Sequence, residues 1–239
     1  MQMNHRVVWL WLCLAAAPLV TPRAQAAHNY EQWEKEVAAY ERDVHTNPPP
    51  KGALLFTGSS TIRFWKTLAA DFPRENVINR GFGGSEIADA TYFAPRLIIP
   101  SQPKVVLLRA GGNDLHNGKS VAAVFNDYKE FAGKVHASLP AAQIVFIGLC
   151  PSIARWDQHQ KEKELNGLVE EYSRSFPYLK YIESYDLPLD SDGQPLPALY
   201  VQDKLHFSPA GYKLLAAKVR AFLSSQGLSS VTDSSPRRN

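Results

Sequence analysis

Four short stretches of this sequence could do chemistry together: Gly58-Ser59-Ser60, Asn79-Arg80-Gly81-Phe82-Gly83-Gly84-Ser85, Gly111-Gly112-Asn113-Asp114 and Asp203-Lys204-Leu205-His206. A serine hydroxyl becomes a useful nucleophile only when a neighbouring base takes its proton. Histidine suits that exchange, and a carboxylate three residues before it can hold the imidazole in one tautomer. An asparagine amide and exposed backbone N–H groups can stabilise the negative charge that develops on an attacked carbonyl. Taken singly, each stretch has a plainer reading. Ser59 and Ser60 could cap a helix, Gly81 to Gly84 could form a turn that needs positive φ, and Asn113 or Asp114 could cap a helix after a turn. Asp203 and His206 could be ordinary surface residues. Jointly they are the components of an ester hydrolase.

These stretches need a frame, and the rest of the sequence supplies one. Apolar runs near 53–57, 76–79, 104–109, 143–148 and 179–183 read as strands, and the first four have the composition of strands buried on both faces. Helical patterns near 60–70, 85–98, 120–138, 159–175 and 208–224 alternate with them. Ser208 followed by Pro209 is a good N-cap and first turn for the last of these. Strand–helix alternation implies a parallel sheet covered on both faces. In such a sheet ligands gather at the carboxyl ends of the strands, which is where the first three stretches fall.

An amphipathic helix is expected before the first strand, because Tyr30, Trp33, Val37, Tyr40 and Val44 recur at spacings of three and four. Pro48-Pro49-Pro50-Lys51-Gly52 then forms a stiff connection. The expected organisation is a leader over 1–26, this helix and linker over 27–52, one domain over 53–224 and a fraying tail over 225–239. The leader reading rests on His5 and Arg6, the apolar run Val7 to Leu19, and Ala24-Gln25-Ala26. Together they describe a cleavable secretory signal peptide and a secreted or periplasmic protein with no stable membrane insertion afterwards. Removing Arg6 and Arg23 takes the formal charge from +3 to +1, too small for strong electrostatic steering. Cys150 would then be the lone cysteine, which excludes an internal disulfide and suits a packing role.

Other functional classes lack support. No basic run with interleaved aromatics suggests nucleic acid. The glycines at 81–84 are not a dinucleotide fingerprint, since Glu86 stands where a third glycine belongs. No His-Glu-x-x-His or paired-cysteine motif suggests a metal, and no cofactor is implied. No Gly-x-Ser-x-Gly elbow is present either.

The four stretches, in this order and spread over nearly the whole expected domain, resemble the hallmark blocks of the SGNH hydrolases, also called the GDSL esterase/lipase family. The resemblance implies a three-layer α/β/α sandwich. It implies Ser60 as nucleophile, His206 as base with Asp203 as its orienter, and an oxyanion hole made by Ser60, Gly84 and Asn113. The sequence departs from the family where Ser59 replaces an aspartate, and Ser59 is expected to hydrogen-bond within its loop. The expected reaction is hydrolysis of short-chain or acetyl esters through an acyl-enzyme, on a carbohydrate or small-molecule substrate. A lysophospholipase or thioesterase, or a non-catalytic binding module on the same fold, is the alternative. Phe82, Trp156, Tyr200 and Phe207 are candidate substrate contacts, because aromatic rings on rim loops could face a sugar or an acyl chain.

Overall fold

Five strands form one all-parallel sheet in the order β2-β1-β3-β4-β5. They are β1 (Leu54–Gly58), β2 (Val77–Gly81), β3 (Val105–Arg109), β4 (Gln143–Ile147) and β5 (Leu179–Ile182). The computed structural model describes residues 28–229, so the expected leader, Cys13 and the tail from 230 onward lie outside the described residues. Within the sheet, side chains alternate between two separate cores, as strand geometry requires. Leu55, Val106, Leu108, Ile144 and Phe146 enter one core. Leu54, Phe56, Val105, Leu107, Val145 and Ile147 enter the other.

Helices cover both faces. α4 (Ile87–Leu97), α6 (Val121–Ser138) and α7 (His159–Arg174) pack on the first core, and α1 (Glu34–Thr46) lies outside α4. The short helices α2 (Ser60–Arg63) and α3 (Leu68–Asp71), with the long α8 (Pro209–Ser225), cover the second. One further turn of helix, α5 (Gly112–His116), follows β3. The result is the three-layer α/β/α sandwich. The 2-1-3-4-5 order places β1 and β3 side by side at the centre, where the chain reverses its direction of winding. At that reversal the two carboxyl ends diverge into different layers and leave a crevice.

α1 is tied down by specific bonds. The Tyr40 hydroxyl donates to the Gly81 carbonyl at 2.7 Å, and Arg96 of α4 bridges Glu34 at 2.8 Å and Glu41 at 2.7 Å. Ser208 caps α8 as its sequence indicates, with its hydroxyl accepting the Gly211 N–H at 3.4 Å. The helix expected over 60–70 is instead two turns, α2 and α3, separated by Phe64 to Thr67. The break turns Trp65 into the core while Phe64 stays exposed. Asp71 fixes the second turn by accepting from Trp65 Nε1 at 2.7 Å and Thr67 Oγ1 at 2.6 Å.

Candidate active site

The corner after β1 is built around Gly58. Its φ of +123° suits glycine, and the carbonyl oxygen of Arg109 on β3 lies where a β-carbon would be. Ser59 follows in extended geometry. Its N–H donates to the Arg109 carbonyl at 3.1 Å, and its own carbonyl accepts from Ile62 and Arg63. The hydroxyl of Ser59 makes no cap bond, and the hydrogen bonds that hold this loop come from backbone. The helix-cap reading and the expected side-chain role of Ser59 both fail for that reason. Ser60 begins α2.

The loop before α8 meets this corner. His206 Nε2 lies 2.8 Å from Ser60 Oγ, and His206 Nδ1 lies 2.6 Å from Asp203 Oδ2. Asp203 Oδ1 accepts the backbone N–H groups of Leu205 and His206, both at 2.9 Å. Desolvation opposes ionisation of Asp203, but the bonds from His206 and Leu205 outweigh it and hold the carboxyl at about 2. An ionised carboxylate only accepts hydrogen bonds, so Nδ1 carries the imidazole proton and the neutral ring offers its Nε2 lone pair to Ser60. Ser60 and His206, 146 positions apart in the chain, thus form one hydrogen-bonded line with Asp203.

Asn113, near the start of α5, stands across the crevice. Its Nδ2 donates to the Ser85 carbonyl at 2.9 Å, and its Oδ1 accepts from Arg155 Nη1, also at 2.9 Å. Ser60, Asn113 and His206 all line one cavity of about 60 Å³, with Arg109, Cys150, Ser152, Arg155, Glu162, Tyr200 and Phe207. Gly84 does not line it. That glycine has φ +79° and an indole carbon of Trp33 3.2 Å from where its β-carbon would stand, so its lack of a side chain serves the turn and the packing of Trp33. Neither the Ser60 N–H nor the Gly84 N–H is engaged by another described residue. No group of three or more His, Cys, Asp or Glu side chains among the described residues is placed to hold a metal ion.

The four aromatic candidates separate. Tyr200 and Phe207 line the cavity, with Tyr200 anchored by its hydroxyl to the Pro151 carbonyl at 2.5 Å. Phe82 is a correction. It is fully buried among Trp33 and Phe93, because the chain leaving β2 turns its ring into the helix-covered core. Trp156 is half-buried, stacks on His159 at 4.1 Å and lies outside the cavity wall. Phe64, which sequence reasoning missed, is exposed and meets His206 edge-on at 4.9 Å. Cys150 is more than packing, since its Sγ receives Arg109 Nη2 at 2.9 Å on the cavity wall.

Glu162 is the other unexpected wall residue. Only 5% exposed, it accepts from Gln158 at 2.8 Å through Oε1 and leaves Oε2 unpartnered. Burial pushes its carboxyl up to about 7, against the pull of Gln158, Arg109 and Arg155. A carboxyl raised in the folded state keeps its proton where the unfolded chain has released it. Stability therefore falls as pH rises from the unfolded value toward 7, and the cost is full above that. Glu162→Gln should gain on the order of 3 kcal/mol relative to wild type between pH 4 and pH 8. Urea unfolding at the two pH values checks this, and an unchanged difference between the proteins would contradict it.

The sequence profile of the GDSL-like Lipase/Acylhydrolase family matches residues 53–214. The chain belongs to that family. No curated protein sequence matches it. Among solved structures, a Streptococcus pneumonia protein is similar with a TM-score of 0.73 at 20% identity, over 81% of this chain and 93% of the other. A GDSL-like lipase from Bacteroides thetaiotaomicron gives 0.66 at 19% identity, over 83% and 98%. A family 3 carbohydrate esterase from Clostridium thermocellum gives 0.58 at 16%, over 75% and 100%. At these identities the likeness is one of fold. The GDSL-family match begins at residue 53, so α1 stands outside it.

Proposed function

We propose that this GDSL-family protein is a serine esterase that cleaves O-acyl esters through an acyl-enzyme. The observation that carries the reading is the line Asp203–His206–Ser60, with contacts of 2.6 and 2.8 Å. Ser60 Oγ attacks the ester carbonyl while His206 Nε2 takes its proton. The imidazolium so formed faces the ionised Asp203, which stabilises it without accepting the proton. The tetrahedral oxyanion is received by the Ser60 N–H and by the second N–H of the Asn113 amide, two cavity-wall donors with no other engagement; the Gly84 N–H, also unengaged, is a third donor that the family resemblance implies. Collapse expels the alcohol, which takes the proton from His206. Water then enters and its oxygen attacks the acyl carbon while the same nitrogen takes a proton; the Ser60 Oγ–acyl bond breaks, the acid leaves, and Ser60 Oγ recovers the proton from His206.

The cavity argues for the acyl group. A space of about 60 Å³ holds only a few water-sized groups. Its wall mixes Arg109, Arg155, Glu162 and Ser152 with Tyr200 and Phe207, which suits an acetyl group and gives an alkyl chain no continuous apolar surface. Phe64, exposed beside His206, offers a face to the leaving alcohol, and a carbohydrate or another small polyol fits that position. We also propose export, from the leader pattern over 1–26.

A series of p-nitrophenyl esters of increasing acyl length tests this reading. We expect acetate to be the best substrate and kcat/KM to fall at least tenfold by the octanoate. Acetylated sugars should also be cleaved. A rate that rises with chain length would overturn the short-acyl reading, and inertness toward every ester would overturn the esterase reading.

A further inference from the structure

Asn113 is held from both sides. A primary amide has one acceptor oxygen and two N–H donors. Oδ1 takes the Arg155 guanidinium at 2.9 Å, and one Nδ2 hydrogen goes to the Ser85 carbonyl at 2.9 Å. One N–H is left over. A flipped amide would press its NH₂ against a guanidinium and its oxygen against a carbonyl, so both partners select the same orientation. Ser85 could do half of this alone. Arg155 supplies the other half, and it comes from a different part of the fold, the 3-10 turn Ile153–Gln158 that follows β4.

Two further features set this arginine apart. No carboxylate among the described residues lies within ion-pair distance of it, so its shortest bond is the one to the amide. The same turn also grips the backbone beside Asn113, with Gln158 Nε2 donating to the Gly112 carbonyl at 3.2 Å and Arg155 Nη1 approaching it at 3.4 Å. A charge-assisted bond to an amide oxygen draws electron density from the nitrogen and makes the remaining N–H a stronger donor.

We propose that Arg155 is a positioning residue for ester hydrolysis: it fixes and polarises the Asn113 amide so that its free N–H is aimed at the oxyanion before substrate arrives. The role rests on the esterase reading and works through Asn113, without contact to the acyl group. Preorganised donors of this kind act on the transition state and leave ground-state binding largely alone.

The test is a double-mutant cycle on p-nitrophenyl acetate, with wild type, Arg155→Met, Asn113→Ala and the pair, and with Arg155→Lys alongside. Arg155→Met should lower kcat ten- to a hundredfold with KM changed less than threefold. In the Asn113→Ala background the same change should cost less than threefold, because the group it positions is gone. Arg155→Lys should recover part of the loss, since an ammonium can still donate to Oδ1. A raised KM with unchanged kcat, or a loss that persists in full in the Asn113→Ala background, would overturn the proposal. Should Arg155→Met not fold, Arg155→Lys alone must still show a kcat loss that vanishes with Asn113→Ala, or the proposal falls. A wild type inert toward all esters would remove the esterase reading itself, an outcome distinct from an active wild type with additive losses.

Discussion

Replacing Ser60 with alanine should abolish ester hydrolysis, by a factor on the order of 10⁶ in kcat, and should leave the fold intact. Ser60 is half-buried at the start of a four-residue helix, and its side chain makes one bond, to His206. No core residue depends on the hydroxyl, so the melting temperature should move by no more than a few degrees. The same variant should no longer be labelled by a fluorophosphonate, which reports the nucleophile independently of turnover. Ser59→Ala is the necessary control, because Ser59 also lines the cavity and also carries a hydroxyl without a cap bond. It should retain labelling and most of the activity. If labelling survives in Ser60→Ala and disappears in Ser59→Ala, the attacking serine has been assigned one position too late. Asp203→Asn should be less severe than loss of Ser60. Its amide can present an N–H to Nδ1 and so favour the wrong tautomer, a change that costs about 10⁴-fold where it has been isolated.

The sequence carried the frame of this site more fully than its walls. Parallel strands buried on both faces are written as nearly unbroken apolar runs, as β1, β3 and β4 are; β2 (Val-Ile-Asn-Arg-Gly) and β5 (Leu-Lys-Tyr-Ile), at the sheet edges, are apolar only in part. Their lateral order was not written in the same way, because β1 pairs with β3 through contacts some fifty residues apart in the chain. Ser60, Asn113, Asp203 and His206 were legible because each sits in a stretch whose residue types and order have few other uses. Phe82 was misread for a physical reason. Its stretch is a loop, and a loop position does not reveal on which side of the sheet the ring will lie; here it turned to Trp33 and Phe93. Arg155 and Glu162 were missed because their place depends on how the segment after β4 folds back over the β3 end. A faint signal existed. Gln158, Glu162 and Asn166 recur every four residues beside the apolar Leu165 and Val169, and all five are buried. Polar residues on the buried face of an amphipathic helix ask for partners, and these find the Gly112 and Leu149 backbone and one another.

Gly58→Ala should be the most destabilising single methyl added to this protein's site, and the reason lies in the sheet more than in the loop. A β-carbon at residue 58 would lie 2.1 Å from the Arg109 carbonyl oxygen and 2.6 Å from its carbon. Both are backbone atoms of the adjacent central strand, so no side chain can swing aside. Gly58 and Arg109 are register partners at the ends of β1 and β3. Relief of the clash requires those ends to part, which would break the Ser59 N–H bond to Arg109 at 3.1 Å and shift Ser60 away from His206. The positive φ adds its own cost, about 1–2 kcal/mol for a residue with a β-carbon. A total above about 4 kcal/mol is the expectation, a value reached by few substitutions. It should appear as a melting temperature lowered by roughly 10 °C or more, or as failure to accumulate folded protein. Gly52→Ala separates the two contributions. Gly52 also has positive φ, +74°, but nothing stands within 4 Å of its added β-carbon. It should show the conformational cost alone and keep full activity. Equal losses in the two variants would mean that the β1–β3 junction yields easily. A junction that yields could not hold Ser60 and Asn113 in fixed relation across the crevice, and catalysis by donors set in place beforehand would lose its structural basis.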